Sequence, residues 1–288
     1  MEQLSIHHRT SYHYHDRVRF GPHRLMLRPR ENRKLRLLAH DVSCTPAAQL
    51  TWAHDVQDNT VATAAFPDAS DTLTIESTAE LTLDVDQWPV FDIAASAASY
   101  PFLLTQEEMT DLGALRLQSY LDSSGQLLAW ARSFVDGSGC DTLTLLKNIA
   151  AAAAAGMTYG VRDDEHTQTP VQTLSCRSGS CRDFAVLFVD AVRSLGFGAR
   201  VVSGYLYDPH EAATGSSGAG STHAWADVYV PGAGWITFDP TNQTVGGHNL
   251  IPVAIARNIG QTMPVTGSYV GDERAFSHMQ VDVSVSCK

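Results

Sequence analysis

The chain has 288 residues, 44% hydrophobic and 18% charged, the balance of a globular protein with material for one large or two modest cores. A formal net charge of -11 argues against a nucleic-acid partner, which would require clustered Lys and Arg on the surface. The opening Met1-Glu2-Gln3 lacks an apolar h-region and no long uncharged apolar span follows, so the expectation is a cytoplasmic protein without a membrane partner.

From Leu4 to about Val90 the chain reads as short strands divided by turns: Leu4 to Tyr14, Val18 to Leu27, Leu35 to Thr45, Leu50 to Asp55, Val61 to Ala65 and Thr72 to Asp84. Leu73, Ile75, Ser77, Ala79, Leu81 and Leu83 alternate with Thr72, Thr74, Glu76, Thr78, Glu80 and Thr82, the period of a half-buried antiparallel strand. Turn chemistry at Asp16-Arg17, Gly21-Pro22, Asp58-Asn59 and Pro67-Asp68 completes the pattern of an antiparallel β-sandwich over residues 1–90. The basic run Arg24 to Arg36 is interleaved with leucines and reads as a sheet edge with a solvated face. His7, His8, His13 and His15 invite a metal reading; His13 and His15 share a strand face, but spacing supplies no third ligand, so no metal site is expected.

Residues 91–124, with Tyr100-Pro101 and the Ala/Ser-rich run from Ala94 to Ser99, read as a connection. A second domain follows over 125–250. Gln126 to Val135 and Thr142 to Ala155 are helical, the latter with Asp141 as N-cap and Gly156 as stop. A polar stretch from Thr158 to Val171 leads to Gly179-Ser180-Cys181-Arg182-Asp183-Phe184-Ala185. Beyond it Leu187, Phe188, Ala191, Val192 and Leu195 recur at helical spacing, and Gly196 offers a stop. Cys181 therefore sits in the first turn of a helix, where unpaired N–H groups and the dipole favour a thiolate. Ala199 to Tyr207 is a strand, and Asp208 to Thr222 is a Gly, Ser and Ala loop expected to form a mobile rim.

Five widely spread cysteines, Cys44, Cys140, Cys176, Cys181 and Cys287, do not form a disulfide framework. Cys176 and Cys181 lack C-x-x-C spacing, although a reversible bridge between them would mask Cys181. The segments Thr222 to Val230 and Trp235 to Asn242, joined by Pro231-Gly232-Ala233-Gly234, give the strongest hairpin signal in the chain. Val230 facing Trp235 would set His223 and Asp239 on opposite faces. Tyr229 facing Trp235 would set them on the same face, within reach of one another. Cys181, His223 and Asp239 then make a nucleophile, base and orienter.

These segments, Gly179 to Ala185, Thr222 to Trp235 and Phe238-Asp239-Pro240-Thr241-Asn242, resemble the core motifs of the bacterial transglutaminase-like superfamily of candidate cysteine proteases. Leu25-Met26-Leu27-Arg28-Pro29-Arg30 and Asp55 to Asn59 resemble its accompanying N-terminal β domain. The resemblance implies an α+β fold, with an N-terminal antiparallel β-sandwich followed by a papain-like, transglutaminase-like core. It also implies Cys181 as nucleophile, His223 as base and acid, and Asp239 as its partner. Arg257-Asn258 and Gln261 depart from the Arg-Asp pair and following acidic residue expected there.

The implied chemistry is acyl transfer through a thioester on a peptide or protein substrate, with no metal or organic cofactor. The Cys181 N–H is one expected oxyanion donor, with Gln172 or the Trp225 indole as candidates for the second. Hydrolysis is the first reading; transfer to an amine or a non-catalytic peptide-binding role are the alternatives. The C-terminal segment 251–288 ends in the alternation Met279, Val281, Val283, Val285, a strand expected to pack on the N-terminal domain.

Overall fold

A computed structural model describes residues 2–84, 88–137, 139–160, 166–207 and 221–288. Residues 208–220, which carry most of the expected rim loop, and 161–165 of the polar stretch lie outside the described residues. The N-terminal part holds β1 (Glu2–Phe20), β2 (His23–Leu25), β3 (Leu35–Thr45), β4 (Gln49–His54), β5 (Thr60–Ala65) and β6 (Ser70–Leu83). β6 pairs antiparallel with β1 on one side and β3 on the other, while β2, β5 and β4 form a second sheet. Val18, Phe20, Leu25, Leu27, Ala62, Ala64, Leu73 and Ile75 fill the space between the sheets, as expected for a sandwich. One difference concerns Asp16-Arg17, where a turn was expected. β1 runs through it, and the mismatch is absorbed as a register irregularity between His13 and Val18. Burial of Val18 and Phe20 on the far side favours continuing the strand.

The connection contains β7 (Ser99–Tyr100) and a helix, α1 (Gln106–Leu112), that periodicity did not reveal. Then come α2 (Gln126–Arg132), β8 (Cys140–Asp141), α3 (Thr142–Ala152), β9 (Thr158–Tyr159), α4 (Pro170–Cys176), β10 (Ser178–Gly179) and α5 (Cys181–Ser194). The Asp141 side chain caps α3 by accepting from the Thr144 N–H at 2.7 Å. The core sheet has the order β14 (Thr244–Val245), β13 (Gly234–Asp239), β12 (Ser221–Val230), β11 (Gly198–Leu206) and β15 (Leu250–Ala256). β15 thus belongs to the core sheet, although the sequence reading ended the core at 250.

α5 is buried from Asp183 to Arg193. Its apolar residues pack between Val201, Ala224, Ala226, Val228, Ile236 and Phe238 of the sheet and Leu127, Leu145, Leu146 and Ile149 of α2 and α3. Each side chain of that size contributes roughly 1.5–3 kcal/mol on full burial, so this packing fixes where the helix begins. Asp190 and Arg193 sit in the same apolar surroundings and pair at 3.0 Å. Asp190 also accepts from the Ser119 and Tyr120 N–H groups, while Arg193 donates to the carbonyls of Leu115, Ala199 and Arg257. The pair ties the connection and the end of β15 to α5.

The other face of the core sheet meets the sandwich. Leu4, Ile6, Met26, Leu35, Leu81 and Leu83 pack with Tyr205, Tyr207, Ile251, Val253 and Ala254. Buried Asn59 acts as a strand partner for β15, accepting from the Ile255 N–H at 2.9 Å and donating to its carbonyl at 2.8 Å. The chain then returns through β16 (Val265–Thr266) on β2, β17 (Tyr269–Val270) and β18 (Phe276–Cys287) on β1. β18 pairs with β1 from Leu4 to Tyr14, and Val285 is fully buried.

Deleting Ser277 to Lys288 strips one edge of β1 and should lower the thermal midpoint by on the order of 10 °C, read by circular dichroism. Arg193→Met leaves the Asp190 carboxylate buried without its cation. A loss of about 3–5 kcal/mol in urea unfolding is expected, with only part of it recovered in the Asp190→Leu/Arg193→Met double variant, because the Ser119 and Tyr120 N–H groups and the Leu115, Ala199 and Arg257 carbonyls lose their partners.

Candidate active site

α5 begins at Cys181 because Ser180 and Asp183 close a capping box. The Asp183 carboxylate accepts from the Ser180 N–H at 2.7 Å and hydroxyl at 2.9 Å, and from the Gln168 N–H at 2.7 Å. Gly179 is required by crowding: a Cβ there would lie 2.9 Å from the Asp183 Cβ and 3.1 Å from the Phe184 ring. Cys181 is half-buried at the first helical position, where its own N–H has no intrahelical acceptor.

The hairpin takes the register with Tyr229 opposite Trp235 and Val230 opposite Gly234. Its loop, Pro231-Gly232-Ala233, has an odd number of residues because Gly234 is already paired. The turn needs left-handed backbone at Gly232 (φ 84°), and a Cβ there would meet Asp92 O at 2.6 Å. In this register His223 and Asp239 meet: Nε2 bonds Oδ2 at 2.8 Å, with the side chains 5% and 1% exposed. Asn242 donates Nδ2–H to the same Oδ2 at 2.7 Å, and the Thr241 and Asn242 N–H groups donate to Oδ1 at 3.0 and 3.2 Å. The carboxylate is thereby fixed from three sides.

His223 and Cys181 are hydrogen-bond partners. Burial pushes the Cys181 thiol up, but the bond and charge of His223, the Ala224 N–H and the charge of Arg182 outweigh it, leaving the thiol below its ordinary value. Burial alone would lower His223; its bond to Asp239 and the bond to Cys181 instead raise it to about 9. Both shifts favour a thiolate–imidazolium pair near neutral pH, titrating as a unit. With Nε2 on Asp239, Nδ1 is the nitrogen left to exchange a proton with sulfur.

The two side chains considered as oxyanion donors lie on α4 and β12. Gln172 closes the capping box of α4, its Oε1 accepting from the Thr169 N–H at 2.9 Å. Trp225 packs with Val202, Leu250 and Ile255, its ring 6.1 Å from that of His223. Gly204 makes room for it, since a Cβ there would lie 2.8 Å from the indole and 2.0 Å from Ile251 O.

Three groups beside the thiol or its partners escaped the sequence reading: the Tyr159 hydroxyl and Ala224 N–H, both bonded to the Cys181 sulfur, and the Asn242 amide on Asp239. Cys176 is exposed at the end of α4, and both it and Cys181 are free thiols. Downstream, Asn258 and Gln261 cap one another across a short turn, and Arg257 donates to the Ala114 and Gln118 carbonyls. The N-terminal histidines are dispersed: His8 bonds Tyr205 and Thr10, and His13 stacks on His278. Among the described residues no three His, Cys, Asp or Glu are grouped as a metal would require.

Comparison with known proteins matches two stretches of the chain to family models. The bacterial transglutaminase-like N-terminal region matches residues 4–82, and the transglutaminase-like superfamily matches residues 129–240. An uncharacterised Mycobacterium tuberculosis protein is 28% identical over 287 residues, spanning 96% of this chain and 90% of the relative. An uncharacterised Mycobacterium leprae protein is 35% identical over 111 residues, 38% of each chain. In fold, the chain resembles the crystal structure of a candidate cysteine protease from Cytophaga hutchinsonii, with a TM-score of 0.72 at 18% identity, over 99% of this chain and 90% of that one. Residues 129–240 thus match a transglutaminase-like superfamily core, and residues 4–82 match the bacterial transglutaminase-like N-terminal region ahead of it.

Proposed function

We propose that the protein is a thiol-dependent amide hydrolase or acyltransferase acting on a peptide or protein, with Cys181, His223 and Asp239 as its triad. The observation that carries this reading is the buried 2.8 Å bond from His223 to Asp239, with the opposite edge of the imidazole partnered to the Cys181 thiol. The Cys181 thiolate attacks the amide carbonyl, and the imidazolium protonates the departing amine. His223, now neutral, takes a proton from water as the oxygen attacks the thioester, and the acid product leaves. Asp239 keeps the ring oriented and stabilises its charged form throughout. An amine taking the place of water would complete a transfer by the same steps.

The test incubates wild type and Cys181→Ala with peptide and glutamine-amide libraries, with and without a fluorescent primary amine, and reads products by mass spectrometry. Cleavage or deamidation that vanishes in Cys181→Ala is the expected result; amine incorporation would assign transfer, and no product above the Cys181→Ala background would overturn the reading. Asp239→Asn should lower turnover by roughly 10²–10⁴-fold while the protein stays folded.

The charge pair also predicts a pH profile. The midpoint for alkylation of Cys181 by iodoacetamide should lie below that of an ordinary thiol, the rate falling as pH drops through it. Turnover should fall on the alkaline side near pH 9, where His223 loses the proton destined for the leaving amine. In His223→Ala, burial dominates and the alkylation midpoint should move up. An unmoved midpoint would mean that His223 does not stabilise the thiolate.

A further inference from the structure

Tyr159 stands beside Cys181 although it is distant from it in sequence. β9 and β10 pair in parallel with Tyr159 opposite Gly179, two residues before the cysteine. The Thr158 N–H donates to Arg177 O at 2.9 Å and the Gly160 N–H to Gly179 O at 3.1 Å, fixing the backbone on both sides of the tyrosine. Its ring lies 6.4 Å from that of Phe184, in the first turn of α5, and its hydroxyl bonds the Cys181 sulfur. The residue is nevertheless 51% exposed, so the space around the phenol and sulfur opens to solvent. Burial and the neighbouring Cys181 charge raise the phenol above its ordinary value, so it keeps its proton at neutral pH and acts as a donor.

A donor placed on a nucleophilic sulfur changes acceptor when the reaction starts. As the S–C bond forms, the sulfur lone pair becomes bonding and the carbonyl π pair moves to oxygen. The negative charge passes from a large polarizable atom to a smaller one attached to the same carbon. A hydroxyl already directed at sulfur loses its anion and finds a harder one beside it. Its bond is then stronger at the transition state than in the ground state, which is the condition for acceleration. No proton leaves the phenol, and when the C–N bond breaks the amine is protonated by His223.

We propose that the Tyr159 hydroxyl is the second oxyanion donor, working with the Cys181 N–H, and is a catalytic residue of this site. The proposal rests on the acyl-transfer reading above. It fills the place for which Gln172 and Trp225 were candidates from sequence, on the ground that the Tyr159 hydroxyl bonds the sulfur. The Ala224 N–H also meets the sulfur but cannot be removed by a side-chain substitution, so Tyr159 is where the role can be isolated.

Two reactions of the same thiol separate this role from simple thiolate stabilisation. Acylation by p-nitrophenyl acetate, read as the p-nitrophenol burst above a Cys181→Ala blank, passes through a tetrahedral oxyanion; alkylation by iodoacetamide does not. Both are measured across pH on wild type and Tyr159→Phe, which removes one oxygen atom. The expected result is a burst rate reduced by about 10²-fold in Tyr159→Phe, with alkylation at the thiolate plateau unchanged. Parallel losses in both reactions, or no loss in either, would overturn the proposal, and intact alkylation reports a folded site. A wild type that is alkylated at Cys181 yet gives no burst would instead overturn the acyl-transfer reading itself.

Discussion

The buried bond between His223 and Asp239 is the constraint from which the site follows. A carboxylate 1% exposed requires compensation from every side, and four donors reach it here, including the imidazole. The bond exists only if β12 and β13 pair with Tyr229 opposite Trp235, since a slip of one residue would carry Asp239 to the other face of the sheet. That register depends on a turn with an odd number of residues. The turn in turn depends on Gly232, whose lack of a Cβ lets the chain around Asp92 to Ala94 close over it, the Ala94 N–H donating to Pro231 O at 2.9 Å. A connecting segment with no side chain in the site thus helps to set its geometry.

The core sheet is covered on both faces, and the two coverings do different work. On one face α5 is held by apolar packing and by the Asp190–Arg193 pair, so Cys181 has one permitted position relative to β12. On the other face the sandwich seals β11 and β15 through Tyr205, Tyr207 and Ile251, with His8 bonded to the Tyr205 hydroxyl at 2.9 Å. Tyr205 pairs with Thr222 across the ladder, next to His223. The sandwich therefore braces the strand that carries the imidazole, and return of β18 to β1 ties the end of the chain into that brace. A rigid scaffold under a half-open thiol is the arrangement that preorganised electrostatics requires.

The parts of this arrangement legible in the sequence are those written in local patterns. Period-two alternation marked β6 and the hairpin strands, and the apolar spacing after Cys181 marked α5. The seven-residue helices α1 and α4 are too short for a periodic stripe to stand out, yet both carry a readable start: Thr105 with Glu108, and Thr169-Pro170 with Gln172, are capping boxes. The continuity of β1 through Asp16-Arg17 was hidden because turn-forming residues there are overruled by pairing with β6 and β17, a tertiary effect. Tyr159 was hidden for a related reason. It reaches Cys181 through a two-residue parallel bridge, and no local pattern announces so short a strand.

The order of burial along the site carries its own argument. Asp239 is sealed, His223 is nearly so, Cys181 is half-buried and Tyr159 is half exposed. Charge–charge attraction strengthens as water is excluded, so the imidazolium is held most firmly where nothing has to move. Access increases toward the sulfur, where solvent weakens each contact. The groups at that open end compensate by number: His223, the Ala224 N–H, the Arg182 charge and the Tyr159 hydroxyl all act on one sulfur atom. Under the proposed acyl transfer, a thiolate stabilised by several modest donors could surrender one of them to a newly formed oxyanion without losing its own position, whereas a thiolate held by a single strong partner could not.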